Sequence, residues 1–172
     1  MIKVAITGGI GSGKSHVARK MTELLGIPVY DSDANAKRLN EESAEIRQGL
    51  TELVGTDVYD EHGRLDKRKL AAFIFSAPEN AKRVNALVHP IVLTDFLHWA
   101  EKQDAAVVAI ETALLAESGI DRIVDKVIRV DAPLEIRIER AMLRDGSTRS
   151  QVLARMACQS EYPTPDIIIN NV

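Results

Sequence analysis

A chain of 172 residues, 45% of them hydrophobic, has room for one globular domain with a real core and for an inserted subdomain. The formal net charge of −3 gives no basis for broad nucleic-acid binding, and a single cysteine, Cys158, excludes an internal disulfide framework and a cysteine-based zinc cluster. No apolar run approaches a membrane span and no signal peptide is visible, so the expectation is a soluble, cytoplasmic, monomeric protein with neither membrane nor nucleic-acid partners.

Ile2-Lys3-Val4-Ala5-Ile6 is apolar-rich and predicts a buried strand. Gly8 to Ser15 follows and fits G-x-x-x-x-G-K-[ST], with Gly8, Gly13, Lys14 and Ser15 at the fixed positions. His16 to Leu25 predicts a helix, with Val17, Met21, Leu24 and Leu25 on one face. Strand, glycine loop and helix are the order that a phosphate-binding loop requires. Glycines let successive N–H groups point into one concavity, and the helix N-terminus adds partial positive charge there. Gly9, Ile10, Gly11, Ser12 and Gly13 therefore form the candidate phosphate cradle; Lys14 would reach the β- and γ-phosphates, and the Ser15 hydroxyl would sit on Mg²⁺. The alternative is a flexible glycine turn, but a mere turn has no need of Lys-Ser at its end.

Gly26 and Pro28 stop the first helix, and Val29-Tyr30 predicts a second strand. Asp31 and Asp33 follow two apart, on one face of an extended chain, at the carboxyl edge of a parallel sheet. One reading makes an aspartate here a general base for a hydroxyl, or a group behind Mg²⁺. The other makes Asp31 or Asp33 the N-cap of a helix from Ala34 towards Glu41.

Residues 43 to 104 carry few strand signals. Ile46, Leu50 and Leu53 fit a helical face; Asp60-Glu61-His62-Gly63 is a polar turn; Asp66 caps a helix from Lys67 to Phe75 with Leu70, Phe73 and Ile74 buried. Pro78 opens a further helix that His89-Pro90 interrupts before Ile91 to Trp99 continues it, Trp99 being core. Arg83 and His89 have two readings each: a ligand contact, or a helix-surface group.

Ala105 to Ile110 predicts a third strand ending at Glu111, an acid that either orients Mg²⁺ through water or caps the strand. Val124 to Val130 is a fourth strand. In the helix from Leu134 to Leu143 and beyond, Arg137, Arg140 and Arg144 share a face with no acid three or four positions away. Such stacked charge is relieved by an anion, which suggests an arginine lid over triphosphate; a solvated basic face is the alternative. Ser147 is a candidate N-cap for a helix to about Gln159, Tyr162-Pro163-Thr164-Pro165 a rigid loop, and Asp166 to Asn171 a fifth strand.

These elements predict an α/β, P-loop NTPase-type three-layer fold with a five-stranded parallel sheet. The core covers about residues 1–33 and 105–172, a helical substrate-side insertion about 34–104, and a helical lid about 134–160.

The chain resembles dephospho-coenzyme A kinases. The resemblance runs in order through Thr7 to Ser15, Val29-Tyr30-Asp31-Ser32-Asp33, His62-Gly63-Arg64-Leu65-Asp66, Leu87-Val88-His89-Pro90, Ala132-Pro133-Leu134-Glu135, Arg140, Arg144-Asp145-Gly146, Gln159 and Asp166 to Asn171. It implies transfer of the γ-phosphoryl of ATP to the ribose 3′-hydroxyl of dephospho-coenzyme A, with Mg²⁺. It further implies Asp33 as base, Lys14 and Arg140 neutralising the transferring charge, Arg144 supporting on the nucleotide, Ser15 on the metal, and His89 with Arg83 on the substrate side. The departures are Ala113 and Ala116, where Pro-Leu-Leu-Phe-Glu is usual; Arg137, where glutamine is usual; and His16, where threonine is common but whose N–H can still meet phosphate. The family's usual final helix is not among these residues, which implies a truncated or a naturally short form. A kinase for another acceptor shares the same core. A guanine switch lacks support, since the chain has no Asn-Lys-x-Asp.

Overall fold

The structure, a computed structural model, describes residues 1–159 and 163–172. Tyr162 of the expected rigid loop lies outside the described residues. The five strands are β1 (Ile2–Thr7), β2 (Val29–Asp31), β3 (Val107–Glu111), β4 (Lys126–Asp131) and β5 (Ile167–Asn170). They form one sheet in the order β2-β3-β1-β4-β5, every pairing parallel, with helices on both sides, as the sequence predicts. A parallel sheet covered on both faces wants continuous apolar strands. Val4, Ala5 and Ile6 of β1 and Val108, Ala109 and Ile110 of β3 meet that demand and are buried. The helix α1 (Lys14–Leu25) adds Val17 and Ala18 to a core with Val4, Ile6, Ala109, Ile128 and Val130.

The register fixes what stands at the carboxyl edge. Asp31 pairs with Glu111 across β2 and β3, and Glu111 pairs with Ile6 of β1. Beyond β1 the chain turns one way to β2 and β3, then crosses to β4 and β5. Open α/β sheets bind ligands outside the strand ends at such a reversal.

The chain divides into two compact units, Met1–Asp31 with Ala100–Val172, and Ser32–Trp99. The expected borders at 33/34 and 104/105 thus shift by a few residues. The second unit holds α2 (Ser32–Glu42), α3 (Ala44–Val54), α4 (Lys67–Ser76) and most of α5 (Pro78–Glu101). Ile46 and Leu50 of α3 are fully buried, as their spacing predicts. The polar turn forms as expected: Asp60 Oδ1 accepts the N–H groups of His62 and Arg64 at 2.9 and 2.8 Å, and Gly63 adopts φ 75°.

Four expectations around this unit need correction. The helix α2 starts at Ser32, directly after β2, so Asp31 and Asp33 do not share a face of an extended chain. Asp33 lies inside the first helical turn, and Asp31 ends the strand. The face of α4 is only half-buried, with no fully buried residue and Phe75 86% exposed. Pro90 does not interrupt α5, which runs 24 residues through it. A proline removes one helical hydrogen bond. Here Val84, Val88, Val92, Phe96 and Ala100, at uniform steps of four on both sides of Pro90, are all buried. Trp99 is half-buried rather than core, its ring 6.1 Å from that of Phe96.

Asp66 caps α4 as predicted: its Oδ1 accepts from the N–H groups of Arg68 and Lys69 at 3.0 and 3.1 Å. Asp66→Ala is expected to lower stability by about 1 kcal/mol, seen as a lower urea midpoint at unchanged slope.

The departing stretch after β3 makes one helical turn, α6 (Leu115–Ser118), pinned by Leu115 at 1% exposure. Beyond β4 the chain forms α7 (Leu134–Asp145) and α8 (Arg149–Ala157). The cap of α8 is Thr148, not Ser147: Thr148 and Gln151 form a reciprocal capping box.

Candidate active site

The phosphate loop lies between β1 and α1, as the motif requires. Gly13 precedes α1 with φ 86°, a left-handed conformation that L side chains rarely adopt. The N–H groups of Gly11, Gly13, Lys14 and Ser15 have no acceptor among the described residues. Convergent free donors at a helix N-terminus are what an anion needs. The expected cradle is not uniform, however. The Ile10 N–H donates to Gln159 Oε1 at 2.9 Å, the Ser12 N–H to Gly9 O at 3.0 Å, and the His16 N–H to Gly13 O at 3.0 Å. The His16 ring is exposed and lies 3.3 Å from Arg19 Nη2.

Lys14 is half-buried at the first position of α1, and its ammonium has no hydrogen-bond or ion-pair partner among the described residues. Ser15 Oγ donates to Glu111 Oε1 at 2.5 Å. The structure thus joins the motif serine to the acid at the end of β3, and Asp31 is the strand neighbour of that acid.

The three arginines of α7 diverge from the expected bare row. Arg137 Nε donates to Ile10 O at 3.0 Å, and its guanidinium covers Gly9 so closely that a Cβ there would overlap it. Arg140 Nη1 donates to Asn171 O at 3.0 Å and stands beside Gly13. Arg144 grips Asp145 through Nε and Nη2 at 2.7 and 2.9 Å. Asp145 also takes Arg155 Nη2 at 2.7 Å, and these two guanidinium groups hold its carboxyl far below the usual range. The relief for Arg144 is therefore a neighbouring acid, one position away in sequence. Arg149 makes a two-pronged pair with Glu135 at 2.7 and 2.8 Å, which lowers the Glu135 pKa. These bonds tie α7 to α8 around Ile138, Ala141 and Val152, and Ile10 packs on that small core.

The acceptor-side candidates lie in the helical unit. Asp33 is exposed in the first turn of α2. His89 is half-buried on α5; Arg83 is exposed, its guanidinium carbon 6.0 Å from the Phe73 ring centre. Six positions separate Arg83 from His89, about 120° round a helix, so one face of α5 does not present both.

The family model for dephospho-CoA kinase matches residues 2–171. The chain belongs to the dephospho-CoA kinase family. A protein of Porphyromonas gingivalis named dephospho-CoA kinase is 51% identical over 159 residues, 92% of this chain and 78% of that relative. A namesake from Thermus thermophilus is 41% identical over 158 residues, 92% of this chain and 75% of the relative. A Thermus thermophilus crystal structure superposes with a TM-score of 0.84 at 37% identity, covering 99% of this chain and 88% of that one. A shikimate kinase from Bacteroides thetaiotaomicron, at 14% identity and TM-score 0.52 over 98% of this chain and 85% of its own, shares the fold alone.

Within this member of the dephospho-CoA kinase family, sequence reasoning missed the outer supports of the loop. Arg137, Gln159 and Asn171 touch it from 127, 149 and 159 residues away. No local pattern announces such pairs. The one signal was the glycine run itself, since glycine at Gly9 and Gly13 also marks where another chain segment comes close.

Proposed function

We propose that this protein moves the γ-phosphoryl group of ATP to the 3′-hydroxyl of the ribose in dephospho-coenzyme A, giving coenzyme A and ADP in the last step of coenzyme A synthesis. The observation that carries the reading is the family match over residues 2–171, joined to a phosphate loop whose N–H groups at Gly11, Gly13, Lys14 and Ser15 await an acceptor. Phosphoryl transfer asks a protein mainly for positioning and for stabilisation of spread negative charge. Gly9 to Gly13 with Lys14, Ser15 and His16 form the ATP side, Lys14 on the β- and γ-phosphates. Arg140 neutralises charge on the transferring group, and Arg144 supports the nucleotide once it exchanges Asp145 for phosphate. Asp33 takes the proton of the acceptor hydroxyl. Arg83 and His89 serve the acceptor, and residues 134–160 act as the lid.

Mg²⁺ takes oxygen ligands, usually one or two protein groups besides phosphates and waters. The Ser15 hydroxyl and the Glu111 carboxylate are such a pair, already in contact, and Ser15 holds the metal with Glu111 behind it. When bound, the ion supplies charge neutralisation between the β- and γ-phosphates. Glu111→Gln keeps the shape and removes the charge. It is expected to raise the Mg²⁺ concentration for half-maximal activity several-fold, with a smaller change at saturating Mg²⁺. An unchanged Mg²⁺ requirement makes Glu111 only a strand-end acid.

ADP release is the test, measured with ATP and Mg²⁺ against dephospho-coenzyme A, AMP, adenosine, shikimate and no acceptor. Release with dephospho-coenzyme A alone supports the reading. Release with another acceptor, and not with dephospho-coenzyme A, replaces it with a different phosphate-loop kinase.

A further inference from the structure

A phosphate loop works only if its peptide planes are turned the right way. In a trans peptide the carbonyl and the following N–H point in opposite directions. A flip of one plane would aim an oxygen, rather than an N–H, at the bound phosphate. Something must therefore hold the carbonyls of Ile10 and Ser12, because the N–H groups that share their peptide planes, those of Gly11 and Gly13, are donors left without an acceptor among the described residues.

Both carbonyls are held from the side of α7 and β5. Arg137 Nε donates to Ile10 O at 3.0 Å, and Asn171 Nδ2 donates to Ser12 O at 2.9 Å. The contacts are close enough to shape the glycine pattern: a Cβ on Gly9 would meet the Arg137 guanidinium, one on Gly11 the Arg137 carbonyl, and one on Gly13 the Asn171 amide. Gln159 fixes the other end of Ile10 by accepting its N–H at 2.9 Å. Asn171 also accepts Arg140 on its backbone carbonyl at 3.0 Å, so the residue that orients Ser12 also sets an arginine beside Gly13.

We propose that Arg137 and Asn171 are positioning residues of the phosphate loop: they hold the carbonyls of Ile10 and Ser12 to themselves, and thereby hold the N–H groups of Gly11 and Gly13 toward bound phosphate. This rests on the reading of the loop as an ATP site. It assigns Arg137 a function as a hydrogen-bond donor, not as a charge facing the nucleotide. A hydrogen bond of this kind changes an equilibrium by about 1 kcal/mol, roughly five- to tenfold.

The test is equilibrium binding of MgATP without acceptor, with the melting midpoint of the nucleotide-free protein measured alongside. Arg137→Met removes the donor at similar length and is expected to weaken MgATP about tenfold. Arg137→Gln keeps an N–H donor without charge and is expected to recover most of that loss. Asn171→Leu removes the donor to the Ser12 carbonyl at similar size, adds no charge beside the loop, keeps the backbone carbonyl that Arg140 reaches, and is expected to weaken MgATP about tenfold. If Arg137→Met does not fold, Arg137→Gln and Asn171→Leu carry the test. Binding unchanged in Arg137→Met or in Asn171→Leu overturns the proposal, as does Arg137→Gln binding MgATP at least about tenfold more weakly than wild type, which would mark a charge contact. Wild-type protein that binds no ATP overturns the functional reading and this inference with it. Wild-type protein that binds ATP but ignores dephospho-coenzyme A overturns the acceptor assignment alone.

Discussion

Asp33→Asn is expected to lower kcat about 10²- to 10⁴-fold, the usual worth of a positioned general base, while MgATP binding stays as in wild type. The substitution keeps size and polarity and removes only the capacity to take a proton. Its structural cost is small and separable. Asp33 is exposed in the first turn of α2, where a carboxylate interacts favourably with the helix dipole by about 0.3–1 kcal/mol. A residue that matters only for the helix would therefore show a slightly lower melting midpoint at full turnover. A residue that matters as base shows the reverse balance, a large loss of kcat at nearly unchanged stability. Rapid-quench measurement of the transfer step checks which, because it separates the chemistry from product release. Full activity in Asp33→Asn would remove the residue from the base role.

Lys14→Met is expected to slow transfer about 10²- to 10³-fold, equivalent to about 2.7–4 kcal/mol of lost charge stabilisation. The reason lies in what Lys14 does not touch. Its ammonium has no protein partner among the described residues, so its removal orphans no acid and breaks no ion pair. The nucleotide-free melting midpoint should hold. The rise in midpoint on adding MgATP should shrink, since a ligand stabilises in proportion to the logarithm of its concentration over its dissociation constant. Lys14→Arg is not expected to rescue, because a planar fork does not replace a compact point charge inside a backbone cradle. A variant that loses its nucleotide-free stability instead would show that Lys14 is structural.

Much of the fold and of the phosphate loop was legible in the sequence because it is local. The motif from Gly8 to Ser15 is contiguous, so strand, loop and helix follow one another as read. Asp66 caps its own helix, and the buried strands carry their own apolar runs. What was not legible depends on contact between distant residues or on the exact start of an element. Asp31 and Asp33 looked like one face of a strand, but the backbone changes from a period of two to one of 3.6 between them, at Ser32. Pro90 looked like a break, yet a buried stripe from Val84 to Ala100 keeps α5 whole. Arg144 has no acid three or four positions away, the spacing at which helical side chains meet, yet Asp145 beside it in sequence accepts its guanidinium. The pairing with Asp145 forms at the last residue of α7, where Arg155 of α8 joins it. The outer supports of the loop, Arg137 and Asn171, leave no local pattern, being more than a hundred residues from the peptides they hold.

The function of the protein turns on where the phosphoryl group goes. The most direct measurement follows the label from γ-labelled ATP into dephospho-coenzyme A and then exposes the product to a phosphatase specific for the 3′ position. Labelled coenzyme A is expected, and the 3′-phosphatase releases its label completely. Label that stays on the product after that treatment, or that appears only as free phosphate, rules out transfer to the ribose 3′-hydroxyl.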